Sequence, residues 1–76
     1  MLDEARGGHN DQAVAGLAAA LIGQFEYVGI NPDPDVWQLI SDKDLERAIG
    51  SHAFGVLNQR RESLKAWMSK ILASAS

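Results

Sequence analysis

Two histidines, a run of closely spaced aspartates and no cysteine are the first groups to weigh for chemistry in this 76-residue chain. His9 and His52 lie far apart, and neither belongs to the His-x-x-x-His spacing that sets two imidazoles on one helical face around a metal. Asp33, Asp35, Asp42 and Asp44 are oxygen donors of the type calcium takes. Counted from Asp33, however, the sixth place is Gln38 and the twelfth is Asp44, where a calcium loop needs its turning glycine and its bidentate glutamate. The glycines are dispersed, with no phosphate-cradling loop and no nucleophile elbow. Without cysteine there is no thiol nucleophile, thiolate metal site or disulfide framework. These residues predict a protein that binds, with no enzymatic activity, no metal and no cofactor.

Size points the same way, since a chain this short buries only about 60% of its unfolded surface, too little to enclose a deep cleft. At 46% hydrophobic residues the chain is rich enough to fold. No apolar run approaches the length of a membrane span, and Asp3, Glu4 and Arg6 stand where a signal peptide needs an apolar stretch. The expectation is a soluble chain, cytoplasmic or nuclear, without membrane insertion.

The elements that must position any site read as helices. Residues 1–10, with Gly7-Gly8 and no apolar period, are expected to form a flexible leader, and residues 11–76 the folded domain. Val14, Leu17, Ala18, Leu21, Ile22, Phe25 and Val28 follow the 3.6-residue period of one helix face, with Asn10 or Asp11 as cap and Gly29 as stop. Asn31-Pro32-Asp33-Pro34-Asp35 must turn, because the residue before each proline is pushed out of helical geometry. Asp33 is placed to cap a short helix opening at Pro34 and carrying Val36, Trp37, Leu39 and Ile40. Ser41 with Asp44 resembles a capping box before a second short helix that buries Leu45, Ala48 and Ile49 and closes at Gly50-Ser51. His52 to Val56 read as a turn or a single helical turn. Leu57, Leu64, Trp67, Met68, Ile71 and Leu72 then lie along one face of a last helix from Asn58 to about Ala73. The predicted fold class is all-α, a compact single-domain bundle of about five helices.

The net charge of −3 is unevenly distributed. Residues 1–46 hold nine acids against Arg6 and Lys43, a net −7, whereas residues 47–76 hold Arg47, Arg60, Arg61, Lys65 and Lys70 against Glu62, a net +4. Folded, this makes two oppositely charged surfaces, the kind that favours head-to-tail contact between copies or docking to a charged partner. The plain alternative is that all of these side chains simply face water.

Several segments resemble the sterile alpha motif (SAM) domain. Ser41-Asp42-Lys43-Asp44-Leu45 is similar to that family's acidic Thr-x-Glu-Asp-Leu segment. Leu57-Asn58-Gln59-Arg60-Arg61-Glu62-Ser63-Leu64-Lys65-Ala66-Trp67 resembles its Leu-Gly-His-Arg opening of the last helix, with Asn58 and Gln59 in place of the glycine and histidine. Phe25 to Asn31, followed by Val36-Trp37-Gln38-Leu39, is similar to the end of helix 1 and the start of helix 2. The likeness runs from roughly Val14 to Leu72.

The resemblance implies a protein interaction and oligomerisation module, a scaffold in signalling, with two faces. The acidic central face would draw on Asp33, Asp35, Asp42, Asp44 and Glu46. The basic face at the start of the last helix would draw on Gln59, Arg60, Arg61 and Lys65, with Val56 or Leu57 as its apolar centre. The implied partner is a protein, a second copy or another helical domain. Two alternatives remain open on the sequence: hairpin-RNA or other nucleic-acid binding by the bases of the last helix, and a helical-hairpin filament or secretion subunit if Asp42 to Ala73 formed one helix. The acidic first part disfavours a polyanion, and Gly50 and Gly55 each disfavour the unbroken helix by about 1 kcal/mol.

Overall fold

A computed structural model of the chain describes residues 2–75, with side chains from residue 12 onward. The described residues form five α-helices and no strand. The first, α1, spans Leu2–Tyr27. The helix start expected at Asn10 or Asp11 falls instead inside α1, whose backbone is helical from Leu2, because nothing in residues 2–10 interrupts the helix; the side chains of this expected leader lie outside those described. Along the rest of α1 the periodic face is the one buried, with Val14, Ala18, Leu21, Ile22 and Phe25 in the core and Leu17 and Val28 partly covered.

The end of α1 is a Schellman closure. The N–H of Ile30 reaches back to the carbonyl of Phe25 at 2.8 Å and that of Gly29 to Glu26 at 3.1 Å, with Gly29 at φ +82°. The chain then bends through two side-chain bonds to backbone: Asn31 Oδ1 accepts from the Asp33 N–H and Asp33 Oδ1 from the Asp35 N–H, both at 2.9 Å. The second of these caps α2, Pro34–Trp37, with proline at its first position as expected. A helix of one turn holds no shape by itself, and Trp37 anchors it. Its indole is fully buried, meets the Phe25 ring edge-on at 5.5 Å, and donates through Nε1 to the Pro32 carbonyl at 3.0 Å.

Ser41 Oγ accepts from the Asp44 N–H at 3.2 Å and opens α3, Asp42–Ile49, which buries Leu45 and Ile49. Ala48, expected beside them, is exposed. Gly50, at φ +94° and ψ 153°, ends α3 and begins α4, Ser51–Gln59. This is a nine-residue helix where the sequence reading has a turn. The chain breaks at Arg60 (φ −135°, ψ 40°), and α5 runs Arg61–Ala75, so Leu57 closes α4 and does not open the last helix. One helix over 51–75 would be a rod of roughly 37 Å. The bend instead lets Leu57 on α4 and Leu64 and Met68 on α5 enter the same core.

That core is wholly apolar among the described residues, with α1 packed chiefly on α5 and α4 on α3. No helix of the described residues is long and apolar enough to cross a membrane. The breaks at Gly50 and Arg60 are incompatible with the single long helix that the filament-hairpin alternative requires.

Candidate interaction surfaces

The acidic residues gather on α2 and α3, because the two caps that start these helices require short acceptors and helix first turns accommodate negative charge. Asp33 is exposed, but one of its oxygens already caps α2. Asp35, Asp44 and Glu46 are exposed with no ion pair among the described residues. Asp33 and Asp35 also border a shallow depression of about 330 Å³ closed by Ser69, Leu72 and Ala73 of α5.

Asp42 behaves differently, since its Oδ1 lies 3.2 Å from Nη2 of Arg61. The same guanidinium donates to Asn58 Oδ1 at 3.2 Å and sits 5.9 Å from the centroid of the Phe54 ring. Lys65 likewise turns inward, its Nζ donating to Gln38 Oε1 at 3.1 Å and lying 2.9 Å from Glu62 Oε2. The side chains of Arg61 and Lys65 are only 26% and 21% exposed.

Two of the residues expected on the basic face thus fasten α5 to α3 and to the α2–α3 connection, and the acidic and basic groups meet along one edge of the molecule. A solvent-facing pair such as Arg61–Asp42 contributes about 0–1 kcal/mol, and it leaves these cations less available to an outside partner. Leu57 is fully buried, so it offers no surface as an apolar centre, and Val56 is partly buried. Of the bases expected on this face, Arg60 is the one left facing outward. It is exposed at the α4–α5 break, makes no side-chain bond among the described residues, and borders with Gln59 and Ser63 a shallow depression of about 380 Å³.

Two features escaped the sequence reading. Val36 and Leu39, grouped there with Trp37 and Ile40 as one apolar set, are 40% and 85% exposed. A one-turn element can bury a single side, and the spacing already separates the pairs: 37 and 40 point one way, 36 and 39 the other. The second feature is a groove of about 240 Å³ between α1 and α4, walled by Leu17, Ala20, Leu21 and Gln24 on one side and His52, Ala53 and Val56 on the other. Periodicity assigned Leu17 and Leu21 to the buried face, and only the crossing of α1 and α4 shows that this face is left partly open.

No metal-holding cluster of three or more histidine, cysteine or carboxylate groups occurs among the described residues. Compared with known family models, with curated proteins and with solved structures, the chain matches none.

Proposed function

We propose that this chain is a non-catalytic protein–protein interaction module, similar to SAM domains, which oligomerises head-to-tail with a second copy or with another helical domain. The observation that carries the reading is the coexistence on one small helical body of the exposed carboxylates Asp35, Asp44 and Glu46 on α2 and α3 and an exposed Arg60 at the α4–α5 break, none of them in an ion pair among the described residues. Complementary charge of this kind speeds encounter and fixes orientation, and it does so without a cleft. The acidic face is Asp33, Asp35, Asp42, Asp44 and Glu46, of which Asp33 also caps α2 and Asp42 pairs with Arg61; the basic face is Arg60 and Gln59, with Arg61 and Lys65 setting its edge. In this reading the module serves as a scaffold in a signalling assembly.

Nucleic-acid binding is the weaker alternative, because Arg61 and Lys65 are already engaged and a polyanion would meet Asp42 beside them. The test is sedimentation of the wild type and of Arg60→Glu across concentration at low and high salt. Association that weakens about tenfold or more on charge reversal, and weakens with salt, is expected. An association constant unchanged by Arg60→Glu at low salt would overturn the assignment of this face.

A further inference from the structure

We infer that this chain also self-associates by exchanging α5: the break at Arg60 straightens, α4 and α5 run on as one helix, and α5 of each copy enters the core of the other. This association does not use the charged faces above, and it differs from head-to-tail contact in symmetry, salt response and rate.

The hinge is a single residue. Arg60, at φ −135° and ψ 40°, separates α4, Ser51–Gln59, from α5, Arg61–Ala75, and no glycine or proline follows Gly55. Asn58, Gln59, Arg60 and Arg61 therefore make the bend without any residue that breaks a helix. The bend also leaves donors over. Side chains cap α2 and α3, but the N–H groups of Arg61, Glu62 and Ser63 meet no backbone or side-chain acceptor among the described residues. In a straight helix each finds one four residues back, on the carbonyls of Leu57, Asn58 and Gln59.

What holds the bend is the core. Leu57 on α4 and Leu64 and Met68 on α5 are fully buried together, and α1 packs chiefly on α5. A straight helix within one copy withdraws Leu64 and Met68 from that core, which is why the single chain bends. A second copy removes the conflict. Its α5 has the same residues, so it fills the vacated place with the same apolar contacts and with Lys65 on Gln38, while both hinges gain their helical hydrogen bonds. The exchange is mutual, so the product is a closed two-fold dimer that offers a third copy neither a free α5 nor a vacant core. Monomer and dimer interconvert only when α5 leaves a core, which opens most of the fold, so exchange is slow.

The experiment refolds the full chain from urea at about 10 μM and at about 1 mM, then brings both samples to one concentration for sedimentation. A dimer is expected chiefly from the concentrated refolding, and it is expected to persist after dilution and in about 0.5 M salt. Isotope-filtered NMR of a dimer refolded from labelled and unlabelled chains is expected to place Leu64 and Met68 of one copy against α1 of the other. Arg60→Ala and Arg60→Gly both remove the charge at the hinge and differ in helix propensity, which counts twice in the dimer. After both are checked for wild-type helicity, Arg60→Ala is expected to dimerise about tenfold more tightly than Arg60→Gly.

A dimer that dissociates at once on dilution or in salt, with the α1–α5 contacts confined to one copy, overturns the exchange and leaves the charged-face reading standing. Equal dimerisation of the two Arg60 variants overturns the hinge on which the exchange depends. A chain that is monomeric after refolding at either concentration overturns it as well, whatever fast, salt-sensitive association the native chain then shows.

Discussion

Trp37 shows most directly how one residue holds this fold. It closes a one-turn helix, fills the core against Phe25, and satisfies its own N–H on the Pro32 carbonyl. Replacing it with alanine removes the largest fully buried side chain, an effect of about 3–5 kcal/mol, comparable to the whole stability of a small domain. Trp37→Ala is therefore expected to be largely unfolded at 25 °C, as loss of the helical circular-dichroism signal would show. The glycines separate into two kinds at the same scale. Gly50 takes φ +94° with ψ 153°, a region essentially reserved for glycine, so Gly50→Ala is expected to destabilise by about 1–3 kcal/mol although no atom beyond its two chain neighbours would meet the new methyl group within 4 Å. Gly55 lies inside α4 without a positive φ and with the same open space, so Gly55→Ala is expected to stabilise by roughly 0.5–1 kcal/mol. Urea unfolding of the pair measures both signs in one series.

Between elements, the connections that matter are short and local at one end of the molecule and long-range at the other. The α1–α2 turn is built from the Asn31 and Asp33 side chains and the Gly29 closure, all within a few residues. The α3–α5 junction depends instead on Arg61 reaching Asp42 across 19 positions of sequence, and on Lys65 reaching Gln38 across 27. These contacts are polar and partly exposed. Asp42→Asn is accordingly expected to lower stability by no more than about 1 kcal/mol at low salt, and by almost nothing at 0.5 M salt, where about 4 Å of screening length remains. If the difference between wild type and Asp42→Asn in urea midpoint persisted at high salt, the pair would not be acting through charge. Its larger role is to determine which cations face outward: Arg61 and Lys65 are tied to this junction, and Arg60 is left to meet a partner.

For the molecule as a whole, the apolar core and the charged surface respond to different conditions. No polar or charged side chain is buried among the described residues, so added salt is expected to cost the fold no more than about 1 kcal/mol, the contribution of the exposed Arg61–Asp42 pair, while dissociating assemblies held together by acidic and basic faces. Scanning calorimetry and sedimentation on the same samples separate the two effects. The surface carries the exposed Val36 and Leu39, an open groove between α1 and α4 and charges of both signs.

The residues alone determined the helical class, the buried faces of α1 and α5, the proline-led start of α2, the Ser41 cap and the glycine stops at Gly29 and Gly50. Each of these follows from local geometry: a 3.6-residue period, a side chain within reach of a nearby N–H, or a φ that only glycine readily adopts. What tertiary structure alone decided is where helices bend and which charges remain unpaired. Nothing in Leu57-Asn58-Gln59-Arg60-Arg61 forbids one continuous helix, and the break at Arg60 arises because Leu57, Leu64 and Leu45 must share one core. For the same reason the sequence separated −7 from +4 but could not show the two meeting at Asp42 and Arg61. Charge along a chain is a one-dimensional quantity, and only the packing of α5 against α2, α3 and α4 determines which carboxylate lies within 4 Å of which cation.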